Sequence, residues 1–157
     1  MAKKQNRKIR FNYLDGPFYL PSRTQLKEFI LKLFKKEGAE VESVNYIFCS
    51  DEYLLKINKD FLNHNTYTDI ITFQYTQFNK PIVSDIYISI DRVEENAALY
   101  QTPFIKELYR VLFHGALHLC GYKDKSEKDI ILMRSKENFY LDSYVSRETG
   151  AKRETDI

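Results

Sequence analysis

The sequence contains no tryptophan, two cysteines, five glycines and four prolines among its 157 residues, and nowhere a run of about eighteen apolar positions. Each scarcity excludes something. Without such a run there is no candidate membrane span, and residues 1–11 are charged and lack the apolar stretch of a signal peptide. Secretion and membrane partners are therefore not expected. Cys49 and Cys120 stand far apart in apolar surroundings, which suits buried free thiols in a reducing compartment, the cytoplasm, rather than a disulfide framework. A formal net charge of +2 is too small to announce a nucleic-acid binder by itself. Basic residues do bunch at Lys3, Lys4, Arg7, Lys8 and Arg10, and again at Lys106, Arg110, Lys123, Lys125 and Lys128. A solvated face and a phosphate-facing surface both fit that pattern.

What is present is aromatic: twelve tyrosines and eleven phenylalanines must supply much of the core. The length suits one domain, placed at residues 1–146, with a polar and disordered tail at 147–157. Residues 7–14 alternate Ile9, Phe11 and Tyr13 with Arg10 and Asn12, the period of a half-buried strand. Residues 24–37 place Leu26, Phe29, Ile30, Leu33 and Phe34 on one helical stripe, with Ser22 as a candidate N-cap and Gly38 beyond the end. A strand at 44–49 precedes a helix capped by Ser50, and strands at 69–75 and 82–90 are joined through Asn79, Lys80 and Pro81. Three helices follow: 92–100; one opened by Thr102 and Pro103; and one starting at Ser126 with Asp129 three residues on. The expectation is a single α+β domain, with about four strands in a mixed sheet and about five helices.

The chemistry is concentrated in residues 113–124, which hold two of the three histidines. His114 and His118 are four residues apart, so a helix places both imidazoles on one face, one turn apart, as two ligands of a tetrahedral metal require. Gly121 can end that helix in a left-handed conformation and return the chain, so that Asp124 meets the same ion. A histidine pair alone is a weak signal; the glycine and the carboxylate at these offsets make it a candidate zinc site of one ion per chain. The spacing H-x-x-x-H-x-x-G-x-x-D matches the metzincin pattern with aspartate in the third ligand position. Three protein ligands leave a fourth position for water, whose pKa zinc lowers to about 7. Zinc peptidases carry a glutamate base after the first histidine, and here that position is Gly115, which disfavours peptide hydrolysis. Glycine there allows close approach of the helix to a strand or to a substrate backbone.

At these residues the sequence resembles the YbeY family, whose signature is H-G-x-L-H-L-x-G-Y-D-H. His114, Gly115, Leu117, His118, Leu119, Gly121 and Tyr122 stand in register, as do Asn58, the block Thr68-Asp69-Ile70-Ile71-Thr72-Phe73, Asp85-Ile86, Met133 and Glu137. Two departures accompany the match. Lys123 and Asp124 replace the final Asp-His pair, which lowers the charge of the site by one. The arginine that usually precedes the T-[DN] block is absent, with Leu62 in its place.

The resemblance implies a zinc-dependent, single-strand-specific endoribonuclease acting in 16S ribosomal RNA 3′-end maturation and ribosome quality control. It implies His114 and His118 as catalytic metal ligands with Asp124 as the third, and single-stranded RNA, ribosomal RNA and the small ribosomal subunit as partners. Lys106, Arg110, Lys123 and Lys125 are candidate RNA contacts, Asp69 and Asp85 candidate orienting residues behind the ligands, and His64 a candidate acid or base. A non-catalytic, metal-stabilised ribosome assembly factor is the alternative, with a metallopeptidase, which suits the ligand spacing but conflicts with Gly115, behind it.

Overall fold

The computed structural model describes residues 7–14, 16, 18 and 20–148, the last two of these by backbone alone. Four strands, β1 (Ile9–Tyr13), β2 (Val41–Cys49), β3 (Ile70–Gln74) and β4 (Ile82–Ser89), form one sheet in the order β1-β2-β4-β3. β1 and β4 run parallel to β2, whereas β3 is antiparallel to β4. The five helices are α1 (Arg23–Lys36), α2 (Asp51–Leu62), α3 (Ile90–Leu99), α4 (Phe104–Leu119) and α5 (Glu127–Glu148). The expected α+β class, strand number and helix number are all present.

The core lies between one sheet face and α1, α4 and α5. Alternation along β4 buries Ser84, Ile86 and Ile88 toward the helices, and along α1 the predicted stripe Leu26, Phe29, Ile30, Leu33 and Phe34 is buried throughout. Phe29, Tyr109, Phe113 and Tyr144 pack ring on ring where α1, α4 and α5 meet, the Phe29–Tyr144 and Tyr109–Tyr144 centroids lying 4.9 Å apart. Full burial of an aromatic or leucine side chain contributes about 2–3 kcal/mol each, so this cluster replaces what a tryptophan would supply. On the opposite sheet face, Leu54 and Ile57 of α2 form a smaller cluster with Cys49 and Ile71, against which the half-buried Phe73 and Tyr87 pack. Cys49 is buried and Cys120 half-buried, both as free thiols.

Several helix ends differ from expectation. Ser22 has a left-handed backbone (φ 52°) and makes no side-chain cap, so its hydroxyl does not serve the first turn of α1. Pro103 occupies the N-cap position of α4 itself, displacing Thr102. Ser50 and Ser126 cap as expected, accepting from the amides of Tyr53 and Asp129 at 3.1 and 3.0 Å. α5 continues through Arg147 and Glu148, beyond the expected domain end, and the remainder of the tail lies outside the described residues. Among the described residues no helix is long and apolar enough to cross a membrane.

Gly115 explains how α4 lies so close to the sheet. A Cβ at this position would meet Ile70 Cδ1 at 3.0 Å and Ile86 Cδ1 at 3.3 Å. Of the two roles open to this glycine, close approach to strands is the one realised: the missing side chain lets the histidine-bearing helix settle onto β3 and β4.

Candidate active site

α4 carries Glu107, Val111 and His114 at helical spacing toward a cleft of about 350 Å³ that Asp69, at the start of β3, and Glu137, on α5, also line. Glu137 is the organising residue. Its carboxylate is buried, with one oxygen 2.6 Å from His114 Nδ1 and the other facing Arg110 at 3.4 Å. A carboxylate beside Nδ1 favours a proton on that nitrogen and leaves Nε2 as the acceptor or ligand atom. Nε2 faces Asp124 Oδ2 at 3.3 Å. The two atoms are thus side by side, as two ligands of one ion would be.

Asp124 reaches this position because α4 ends at Gly121. With φ at +105°, Gly121 takes a backbone that L side chains rarely adopt, and the Tyr122 amide folds back to the Leu117 carbonyl at 3.2 Å. The loop is then fastened away from the cleft. Tyr122 donates its hydroxyl to Glu37 Oε1 at 2.7 Å, and Tyr140 and Lys136 of α5 converge on Glu37 Oε2. Burial alone would raise the Glu37 pKa, but the hydrogen bonds from Tyr140, Tyr122 and Lys136 outweigh it and hold the carboxyl below its ordinary value.

The cleft has the opposite character. Burial pushes the Asp69 pKa up, against the attraction of His114, and the charges of Glu137 and Asp124 push it further in the same direction. Glu107 is likewise raised by burial, with Asp69 and Glu137 adding to the effect against Arg110 and Arg134. For His114, burial disfavours the charged form, yet the bond to Glu137 and the neighbouring carboxylates prevail and the pKa rises. Acids that resist ionisation beside an imidazole that retains its proton mark a pocket short of positive charge.

The structure brings only some of the expected residues together. His114, Asp124, Asp69 and Arg110 line the cleft. His118 is exposed one turn along α4 and does not line it, and among the described residues no three His, Cys, Asp or Glu side chains are close enough together to hold a metal ion. Asp85 is a correction: alternation along β4 turns it away from Ile86 and the cleft, and it accepts from the Tyr75 hydroxyl at 2.9 Å. Lys106, Lys123 and Lys125 are exposed outside the cleft lining, as is His64. Arg110 is committed to protein partners, Glu107, Glu137 and Asn138.

The roles of Glu107 and Glu137 were not assigned from sequence, although a signal existed. Glu137 stands four residues from Met133 and seven from Tyr144 on the buried stripe of α5, and a carboxylate on an apolar stripe requires a partner. Glu107 occupies the corresponding place on α4.

A sheet edged by an antiparallel strand, with a histidine and carboxylates from three elements in one cleft, defines a polar active-site architecture, and the comparisons with known proteins specify it further. The family model for Endoribonuclease YbeY matches residues 20–145. The chain is 49% identical to Endoribonuclease YbeY of Cytophaga hutchinsonii, over 81% of this chain and 89% of that one. It is 48% identical to the Flavobacterium psychrophilum protein of the same name, over 83% and 91%. The solution structure of TM1509 from Thermotoga maritima superposes with a TM-score of 0.64 at 30% identity, covering 95% of this chain and 96% of that one. The chain belongs to the Endoribonuclease YbeY family.

Proposed function

We propose that the chain is a zinc-dependent, single-strand-specific endoribonuclease that hydrolyses RNA phosphodiester bonds. Its setting on this reading is the cytoplasm, where it acts in 16S ribosomal RNA 3′-end maturation and ribosome quality control on the small ribosomal subunit. The observation that carries the reading is the His114 arrangement, Nδ1 on Glu137 at 2.6 Å and Nε2 beside Asp124 Oδ2 at 3.3 Å. That donor set suits a zinc ion, which accepts imidazole nitrogen and carboxylate oxygen. His118, whose exposed imidazole has no hydrogen-bond or ion-pair partner among the described residues, is the third ligand in this proposal. Bound there, zinc supplies Lewis acidity, polarising a phosphoryl oxygen and making water more acidic.

The chain's own residues do the rest. Glu137 fixes the His114 tautomer and ring plane, and Arg110 balances Glu137 and Glu107 so that the pocket tolerates this much negative charge. Asp69 is placed in the cleft to hold or release a proton at its carboxylate. The test is a paired measurement of metal content and cutting of single-stranded RNA. His114→Ala and Asp124→Ala should lose both, and full cutting after verified metal loss contradicts the proposal. Metal retained with RNA left intact would turn the reading to a non-catalytic assembly factor.

A further inference from the structure

A phosphate entering the cleft meets four carboxylates, Asp69, Glu107, Asp124 and Glu137, and two guanidinium groups, Arg110 and Arg134. Arg110 is engaged: it lies 3.5 Å from Glu107, 3.4 Å from Glu137 and 2.9 Å from Asn138, with its side chain 20% exposed. Arg134 is held more loosely: its side chain is 54% exposed, and its one ion pair among the described residues is a long one, to Glu137 at 3.9 Å. Across the same cleft Tyr100, at the end of α3, is 58% exposed, and among the described residues its ring has no aromatic or cationic neighbour. A loosely paired, exposed guanidinium and an uncovered ring in a cleft otherwise rich in carboxylate are the two groups a nucleotide needs, one for its phosphate and one for the face of its base.

We infer that Tyr100 and Arg134 form a nucleotide subsite at the cleft, with Arg134 holding a phosphate next to the scissile bond and Tyr100 stacking an unpaired base. The inference rests on the proposed ribonuclease reading and adds to it a physical source of single-strand preference. A base inside a duplex is stacked on its neighbours and cannot cover the Tyr100 face, whereas a single strand can turn one out. Arg134 offsets the carboxylates for the incoming phosphate, and it does so from a helix already packed on α4, so the subsite moves with the His114 site.

The test is steady-state cutting of a single-stranded RNA and of the same sequence in duplex, by metal-loaded full-length protein. Arg134→Ala should raise KM on the order of tenfold with kcat changed less, and should make the salt dependence of log KM shallower by about 0.7 per lost phosphate contact. Arg134→Lys should recover part of the loss. Tyr100→Ala should raise KM for the single strand by about tenfold and narrow the difference from duplex, whereas Tyr100→Phe, which keeps the ring, should match the parent. Melting temperatures of all four variants should stay near the parent, since both side chains are exposed. An unchanged KM for either alanine variant overturns the subsite, as does an equal loss with Tyr100→Phe. If the parent cuts no RNA, the ribonuclease reading falls and the subsite with it; if the parent cuts and His114→Ala does not, a negative result counts against the subsite alone.

Discussion

Glu37 meets α5 through Lys136 and Tyr140, beside Glu137 in the same stretch of that helix, yet the surroundings of the two carboxylates differ in kind. Glu37 is surrounded by donors from Tyr122, Tyr140 and Lys136, and its pKa is held down. Glu137 is paired with His114 and Arg110, and further acids crowd the same cleft: Asp69 and Glu107 have raised pKa values, and His114 keeps its proton more strongly than a free imidazole. The first cluster is complete within the chain and works as a fastening for the loop that carries Asp124. The second is short of positive charge, and on the proposed reading a metal cation supplies it. Fold and function therefore use the same chemistry in opposite states of satisfaction.

The comparison can be broken most severely at Glu137. Glu137→Gln removes the charge that fixes His114 Nδ1 and should reduce metal affinity or activity by about 10–100-fold, as measured by zinc titration and RNA cutting. At the other cluster the effects reverse. Tyr122→Phe removes a hydrogen bond to a charged group and should cost about 1.5–3 kcal/mol in urea unfolding, with zinc affinity falling because the Asp124 loop is released.

The two clusters also differ in the sign of their pH dependence. Asp69, Glu107 and His114 all bind protons more tightly folded than unfolded, so their contribution is full below the unfolded values and is lost as pH rises through the folded ones. Glu37 contributes stability above its ordinary value of 4.5 and loses it as pH falls through its lowered one. Metal-free protein should accordingly lose stability as pH rises above the ordinary values of these groups, 3.8 for Asp69, 4.5 for Glu107 and 6.5 for His114, and Asp69→Asn should flatten that slope, as followed by thermal melts in a buffer series. A slope of the opposite sign would show that the cleft acids are not strained.

The smallest expected effect is at Gly115→Ala. Alanine gains about 1 kcal/mol in helix propensity, but overpacking against Ile70 and Ile86 costs about 1–3 kcal/mol. The net should be a loss of about 1 kcal/mol in urea unfolding.

These contrasts also show what could be read in advance. The α1 stripe, the Gly121 turn and the β3–β4 hairpin follow from local periodicity and backbone chemistry, and each stands within a few residues of its expected place. The meeting of His114 with Glu137 spans 23 residues, and that of Tyr122 with Glu37 spans 85. Such pairings depend on how helices pack and leave no local trace beyond a carboxylate on an apolar stripe. Asp85 shows the other limit. The period of a strand fixes that Asp85 and Ile86 face opposite ways, but which face holds the helices is decided by the whole sheet.

On the proposed reading the His114 cleft needs a divalent cation and cuts RNA once it has one. Its most direct test is titration of zinc into metal-free protein while cutting of a single-stranded RNA is followed. The account predicts no cutting without metal and full activity at one ion per chain. Full cutting by verified metal-free protein, unchanged by added zinc, would contradict it.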